Sequence, residues 1–187
     1  MARVYYVKKA RKPQGKCSKC GDEIKAGDPY RWFAPGYHSY KRKRCMKPSC
    51  TPRQSDLTTS TMAEVYSAQE AFEDAQSKGF ADTDELRAEF ETYAEAIRSY
   101  ADERREGVEA WEYGNDMLEE AASAAEEYAD ELESFDIEDF DEDEPTEDEY
   151  IDDDDYQAGF EDWEQRKADH LEEQIDAASD LVQQGIG

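Results

Sequence analysis

Cys17, Cys20, Cys45 and Cys50 are the residues of this chain best equipped for chemistry. They fall into two close pairs, C-x2-C and C-x4-C, with 24 residues between them. Two thiolates from one tight turn and two from another form the ligand set of a tetrahedral zinc ion, and the intervening chain brings the second pair round to the first. Gly21, directly after Cys20, permits a tight turn that aims backbone N–H groups at the sulfurs. The stretch therefore reads as a structural site holding Zn2+. Two disulfides or four unconnected thiols are the competing readings. Disulfides need an oxidising compartment, and the opening MARVYYVKKARK lacks the apolar segment of a secretory signal. The expected location is accordingly the cytoplasm, the host-cell cytoplasm if the chain is phage-encoded. His38 is an alternative ligand, more simply read as an exposed polar residue beside four cysteines.

Short strands must position these sulfurs. Residues 3–9, RVYYVKK, have the Val and Tyr content of a strand. Ile24 is placed to cover the underside of the first cysteine turn, and Ala26-Gly27-Asp28-Pro29 is a turn sequence. Tyr30 to Phe33 and Tyr37 to Arg44 read as arms of a hairpin around Ala34-Pro35-Gly36. Strand alternation puts Lys41 and Lys43 on one face and Arg42 and Arg44 on the other. Ile24, Trp32 and Phe33 are the expected core of so small a module.

The charge is divided unevenly. Residues 1–53 hold 15 Lys/Arg against three acids, a net of +12, whereas residues 54–187 hold 7 bases against 46 acids, a net of −39. A zinc module at +12 concentrates near a polyanion, and nucleic acid, DNA foremost, is the expected partner. Lys41, Arg42, Lys43 and Arg44, with Lys12 and Lys16, are the expected phosphate contacts, and Tyr37 and Tyr40 the expected stacking residues. The bland reading of Lys41–Arg44 is a solvated basic edge that discourages strand pairing.

The pattern C-x2-C-G-x-x-I-x-x-G-x-x-Y-R, carried by Cys17, Cys20, Ile24 and Arg31, resembles the first knuckle and hairpin of treble-clef zinc fingers. Among named families it resembles the PARP-type finger, and the resemblance implies binding to DNA ends and breaks. That finger closes its site with a histidine and a cysteine two residues apart, where this chain has Cys45 and Cys50 with four between. The whole chain also looks like small uncharacterised zinc-finger proteins of tailed phages, a likeness that implies no activity.

Beyond the joint at residues 51–60 the pattern turns helical. Thr61-x-x-Glu64 and Asp82-x-x-Glu85 are capping boxes. Leu86, Phe90, Tyr93, Ile97 and Tyr100 recur at steps of three and four, and Trp111, Leu118, Ala121, Ala125, Tyr128, Leu132 and Phe135 resume the stripe. Such spacing predicts a coiled coil or a helical hairpin, with a bend or turn over 104–115 where Gly107 and Gly114 lie. Residues 136–155 contain 14 acids and no base, which predicts a loosely held linker. Phe160, Trp163, Leu171, Ile175, Ala178 and Val182 define a last amphipathic helix.

The expected fold class is therefore α+β. A small four-cysteine zinc module (knuckle plus hairpin) precedes an acidic, mostly α-helical coiled-coil or helical-hairpin arm. The expected boundaries are 1–53 for the basic module, 54–135 for the acidic helices, 136–156 for the linker and 157–187 for the final helix. No phosphate loop, nucleophile elbow, HExxH or deaminase pattern is present, so a non-enzymatic role is expected, with no catalytic residue and no membrane partner. Nucleic-acid binding with an acidic interaction or regulatory arm is the first functional reading. The second is an acidic inhibitor or adaptor that imitates nucleic acid and occupies a basic groove on a host protein. A homo-oligomer through the heptad stripe is a further expectation, opposed by repulsion between acidic faces.

Overall fold

The structure is a computed structural model that describes residues 2–36, 39–111, 114–146 and 153–186. The chain divides into two compact units, Met1–Glu70 and Ala71–Gly187. In the first, β1 (Tyr5–Val7), β4 (Tyr30–Phe33) and β5 (Arg42–Cys45) form an antiparallel sheet in the order β1-β4-β5. Tyr5 lies opposite Trp32, and Trp32 opposite Lys43. A second ribbon pairs β2 (Gly15–Lys16) with β3 (Glu23–Ile24), and the first cysteine pair sits in the loop between them. The arm expected from residue 37 is shorter as a strand and begins at Arg42.

Alternation gives the sheet two unlike faces. Arg31, Phe33 and Arg44 lie on one and are buried, with Phe33 fully covered. Tyr5, Trp32 and Lys43 lie on the other, where Trp32 is half-buried instead of taking the core position expected for it. A buried cation requires a partner close by. Arg44 finds it in Asp56 of α1 (Gln54–Leu57), onto which its guanidinium forks at 2.7 and 2.5 Å. Ala2 N–H donates to the Leu57 carbonyl, and Ser55 donates through N–H and Oγ to Glu70. These bonds carry the basic unit past residue 53 to Glu70, within α2 (Met62–Gln76). With that boundary the first unit holds 15 Lys/Arg against 6 Asp/Glu, and the second 7 against 43.

The second unit is helical. α3 (Thr83–Glu109) begins at Asp82, whose side chain accepts the Glu85 N–H, while the Glu85 carboxylate accepts the Ala81 N–H at 2.8 Å. The first of these bonds is the one the capping box predicts, and the return bond reaches Ala81, one residue before the cap. α4 (Asp116–Ser134) is capped by Asn115 after Gly114, which takes a positive φ of 68°. Of the two expected architectures, the hairpin is the one adopted. The partners Arg87–Ile137, Arg98–Glu133 and Arg105–Glu126 run antiparallel along it. Leu86, Phe90, Tyr93 and Ile97 of α3 are buried, so the stripe closes within its own chain. In α4 the stripe passes through Ala122, not Ala121, which is exposed; a straight helix drifts from a strict seven-residue repeat.

α5 (Asp153–Gln184) starts earlier than the sequence predicts and takes in the end of the expected linker. Tyr128 and Tyr93 hydroxyls meet at 3.1 Å, and Tyr128 donates to the Leu181 carbonyl at 2.6 Å, fixing the end of α5 on the hairpin. Residues 136–146 have no regular secondary structure, as their composition predicts, but they are not a free tail. Ile137 is buried, Phe140 packs on Trp163 and His170, and Trp163 Nε1 donates to the Glu142 carbonyl. Residues 147–152 of the expected linker lie outside the described residues. No helix among the described residues is long and apolar enough to cross a membrane.

Charge dictates how this unit responds to acid. Hydrogen bonds from Arg105, Arg98 and Arg87 hold Glu126, Glu133 and Asp139 below the usual carboxylate range. A lowered carboxylate stabilises the fold above its unfolded value, and that contribution is lost only as pH falls through the lower, folded value. The excess of acids over bases acts in the opposite sense, because lowering the pH toward about 4 neutralises self-repulsion first. Thermal unfolding followed at 222 nm should show a midpoint that rises from pH 7 to about pH 5 and drops below about pH 3. A midpoint falling steadily from pH 7 would mean that the paired carboxylates dominate instead.

Candidate metal centre and basic sheet face

The three segments that carry cysteine converge. The β2–β3 loop holds Cys17 and Cys20, the end of β5 holds Cys45, and a 3-10 turn over Pro48–Cys50 presents Cys50. All four Sγ atoms lie within 4.8 Å of one another, and Cys20 and Cys45 Sγ are 3.7 Å apart. A disulfide has its sulfurs at about 2.05 Å, so these four are free thiols. A tetrahedral ion bound at about 2.3 Å to each sulfur sets their separations near 3.8 Å. The cluster fits such an ion.

Backbone donors complete the fit. Gly21, at φ 78°, turns the chain so that the N–H groups of Lys19 and Cys20 point at Cys17, while Cys45 N–H reaches the same sulfur at 3.4 Å. Asp22 N–H serves Cys20 and Lys47 N–H serves Cys45. Ser18 N–H donates to the Lys43 carbonyl at 2.8 Å and docks the knuckle on β5. Ile24, 1% exposed, packs beneath Cys17 and Cys50 with Tyr30 alongside, the place the sequence predicts for it. Lys47 bridges to Asp22 across the mouth of the cluster and tethers the two halves from outside.

The thiols titrate as a crowded set. Burial raises Cys17, but the three N–H donors outweigh it and bring it down to about 6. The Asp22 N–H lowers Cys20, yet desolvation and the three neighbouring sulfurs win and push it up to about 12. Desolvation also raises Cys45. One sulfur ionises readily and its neighbours then resist, because anions this close repel unless a cation sits among them. The chemistry available here is soft divalent metal binding.

The expected nucleic-acid residues are sorted by the structure. Lys12, Lys16, Lys41 and Arg42 are exposed, as are Lys8, Lys9 and Arg11. Tyr40 is 94% exposed. Lys43 is half-buried and donates to the Gln14 carbonyl at 3.1 Å, which brings the Lys12–Lys16 loop beside the sheet. Arg44 does not fit a phosphate role: it is buried and committed to Asp56. Tyr37 and the alternative ligand His38 lie outside the described residues.

Sequence reasoning missed the partner of Trp32. Tyr5 stacks on it with ring centroids 4.2 Å apart and planes within 9°, and Lys41 Nζ lies 4.2 Å from the Trp32 centroid. Tyr5 is visible in the sequence only as part of a strand; its partner depends on β1 pairing with β4, which spacing does not reveal. Comparison with known proteins gives no matching family model, curated protein or solved structure.

Proposed function

We propose that the chain is a non-enzymatic, zinc-clamped nucleic-acid-binding protein whose acidic helical unit serves interaction or regulation. The observation that carries this reading is the convergence of four free thiols, ringed by backbone donors, in a unit whose exposed surface is strongly basic. Zinc is the ion of choice because four cysteines in a tetrahedral arrangement are one of its structural ligand sets. The order of knuckle, hairpin and helical turn supports a treble-clef-like finger. The clamp fixes Lys12, Lys16, Lys41 and Arg42 on a shaped surface, where they neutralise phosphates and release counterions.

The test is affinity for a short DNA duplex and a single strand as salt is raised. Log K should fall linearly with log salt, and replacing Lys12, Lys16, Lys41 and Arg42 together by Gln should flatten the slope by about 3. A curve already flat between 50 and 200 mM, roughly the range over which phosphate contacts lose most affinity, would sink the reading.

One observation favours the inhibitor or adaptor reading for the acidic unit. Residues 136–146 are held against α5 by Phe140 and Glu142, and Ile137 is buried, so part of the acidic run is presented on a frame. A basic protein is the partner that such a surface suits. Full-length protein with the four Gln substitutions separates the readings, since it should lose nucleic acid while keeping a basic protein partner.

A further inference from the structure

The solvent-facing side of the first sheet carries four side chains in sequence across its strands. Arg3 places its guanidinium carbon 5.5 Å from the Tyr5 centroid, Tyr5 stacks on Trp32, and Lys41 covers Trp32 from the chain leading into β5. β1 and β5 flank β4, so the tyrosine and the lysine reach Trp32 from opposite sides. Lys43, opposite Trp32 in the ladder, adds a third cation at this end. The stack is not a core: Tyr5 is 42% exposed, and Arg3 and Lys41 are exposed. The unit's packing lies elsewhere, at Phe33 on the opposite face and at Ile24 under the sulfurs. A sheet this short gains little from spending two large aromatics at a wet surface, unless their π faces have something to meet.

We propose that this face binds single-stranded nucleic acid, with an unpaired base stacking on the Tyr5–Trp32 platform and Arg3 and Lys41 engaging the flanking phosphates. The occupant follows from the composition of the face. Cations alternating with flat rings match a polymer that alternates phosphates with bases, and a paired base cannot offer its face to the platform. Arg3 now shields the outer face of Tyr5. On binding it swings to a phosphate and leaves that ring to the base. The inference rests on the nucleic-acid reading above and makes it specific, from polyanion binding in general to unpaired strands.

Fluorescence anisotropy on the full-length zinc-loaded protein tests it with three labelled probes of equal phosphate number: an oligothymidylate, the same backbone with abasic sites, and a duplex. The wild-type protein should prefer the oligothymidylate to the abasic strand by about tenfold or more, the scale of base–aromatic stacking. Tyr5→Ala should erase that preference while changing duplex affinity less than twofold, and Tyr5→Phe should restore it. The abasic comparison needs no variant, so it decides the matter even if Tyr5→Ala folds poorly. Equal affinity for abasic and thymidylate strands would overturn the stacking platform and leave phosphate binding standing. Failure to bind any of the three at low salt would overturn both.

Discussion

Stripping the metal, or replacing Cys50 by Ser, is expected to unfold the basic unit while leaving the acidic one helical. The buried apolar set of the first unit is thin: Ala10, Cys17, Ile24, Phe33, Cys50 and Val65, of which two belong to the sulfur cluster. A structural zinc site contributes about 10–16 kcal/mol of apparent binding energy at neutral pH, as much as the whole stability of an ordinary domain. Removing it leaves four thiols within 4.8 Å, one of them ionising easily and its neighbours resisting. The second unit has its own core in Leu86, Phe90, Ile97, Leu132 and Val182 and does not depend on the ion. Chelation should therefore collapse the dispersed amide signals of residues 30–33 and 42–45 in an NMR spectrum while ellipticity at 222 nm falls only slightly. Loss of both signals together would contradict the division into independent cores.

The second large effect is expected at Asp56→Ala. Its carboxylate receives both Arg44 Nη atoms and also the Arg53 N–H at 3.0 Å, which caps α1. Arg44 is 6% exposed. Stranding a buried guanidinium costs about 3 kcal/mol or more. The double variant Arg44→Met/Asp56→Leu should recover much of that loss, because both charges are then gone. Denaturant midpoints of these two variants against wild type measure this. Arg42 provides the contrast: it is exposed, so Arg42→Gln should leave stability within about 0.5 kcal/mol of wild type. The same variant should lower the salt slope of nucleic-acid binding by about 1. Neighbouring arginines in one strand thus have opposite jobs, one holding the fold and the other facing solvent.

That contrast marks how far the sequence could be read. The cysteine spacing, Ile24 beneath the knuckle, the β4 strand, the Asp82 cap and the break near Gly114 were all legible, because each is a local signal fixed by a few neighbouring residues. That Arg44 is covered while Arg42, on the same face, stays in solvent was not, since alternation sorts the two faces without saying which part of either is covered. The covering element is α1, and its Asp56 gives no sign in the sequence of being a partner for a residue in β5. The Tyr5–Trp32 stack was hidden for the same reason, as it exists only once β1 lies beside β4. Composition alone made residues 136–146 look like a solvated spacer. A few apolar anchors, Ile137 and Phe140 above all, were enough to seat them.

The central claim is that one ion closes the four sulfurs and thereby gives the basic surface its shape. X-ray absorption at the zinc edge of the purified full-length protein tests it most directly, together with the metal content per chain. One zinc per chain, surrounded by four sulfur neighbours at about 2.3 Å, is the expected result. A first shell containing nitrogen or oxygen, or protein that carries no metal yet keeps its N-terminal sheet, would contradict it.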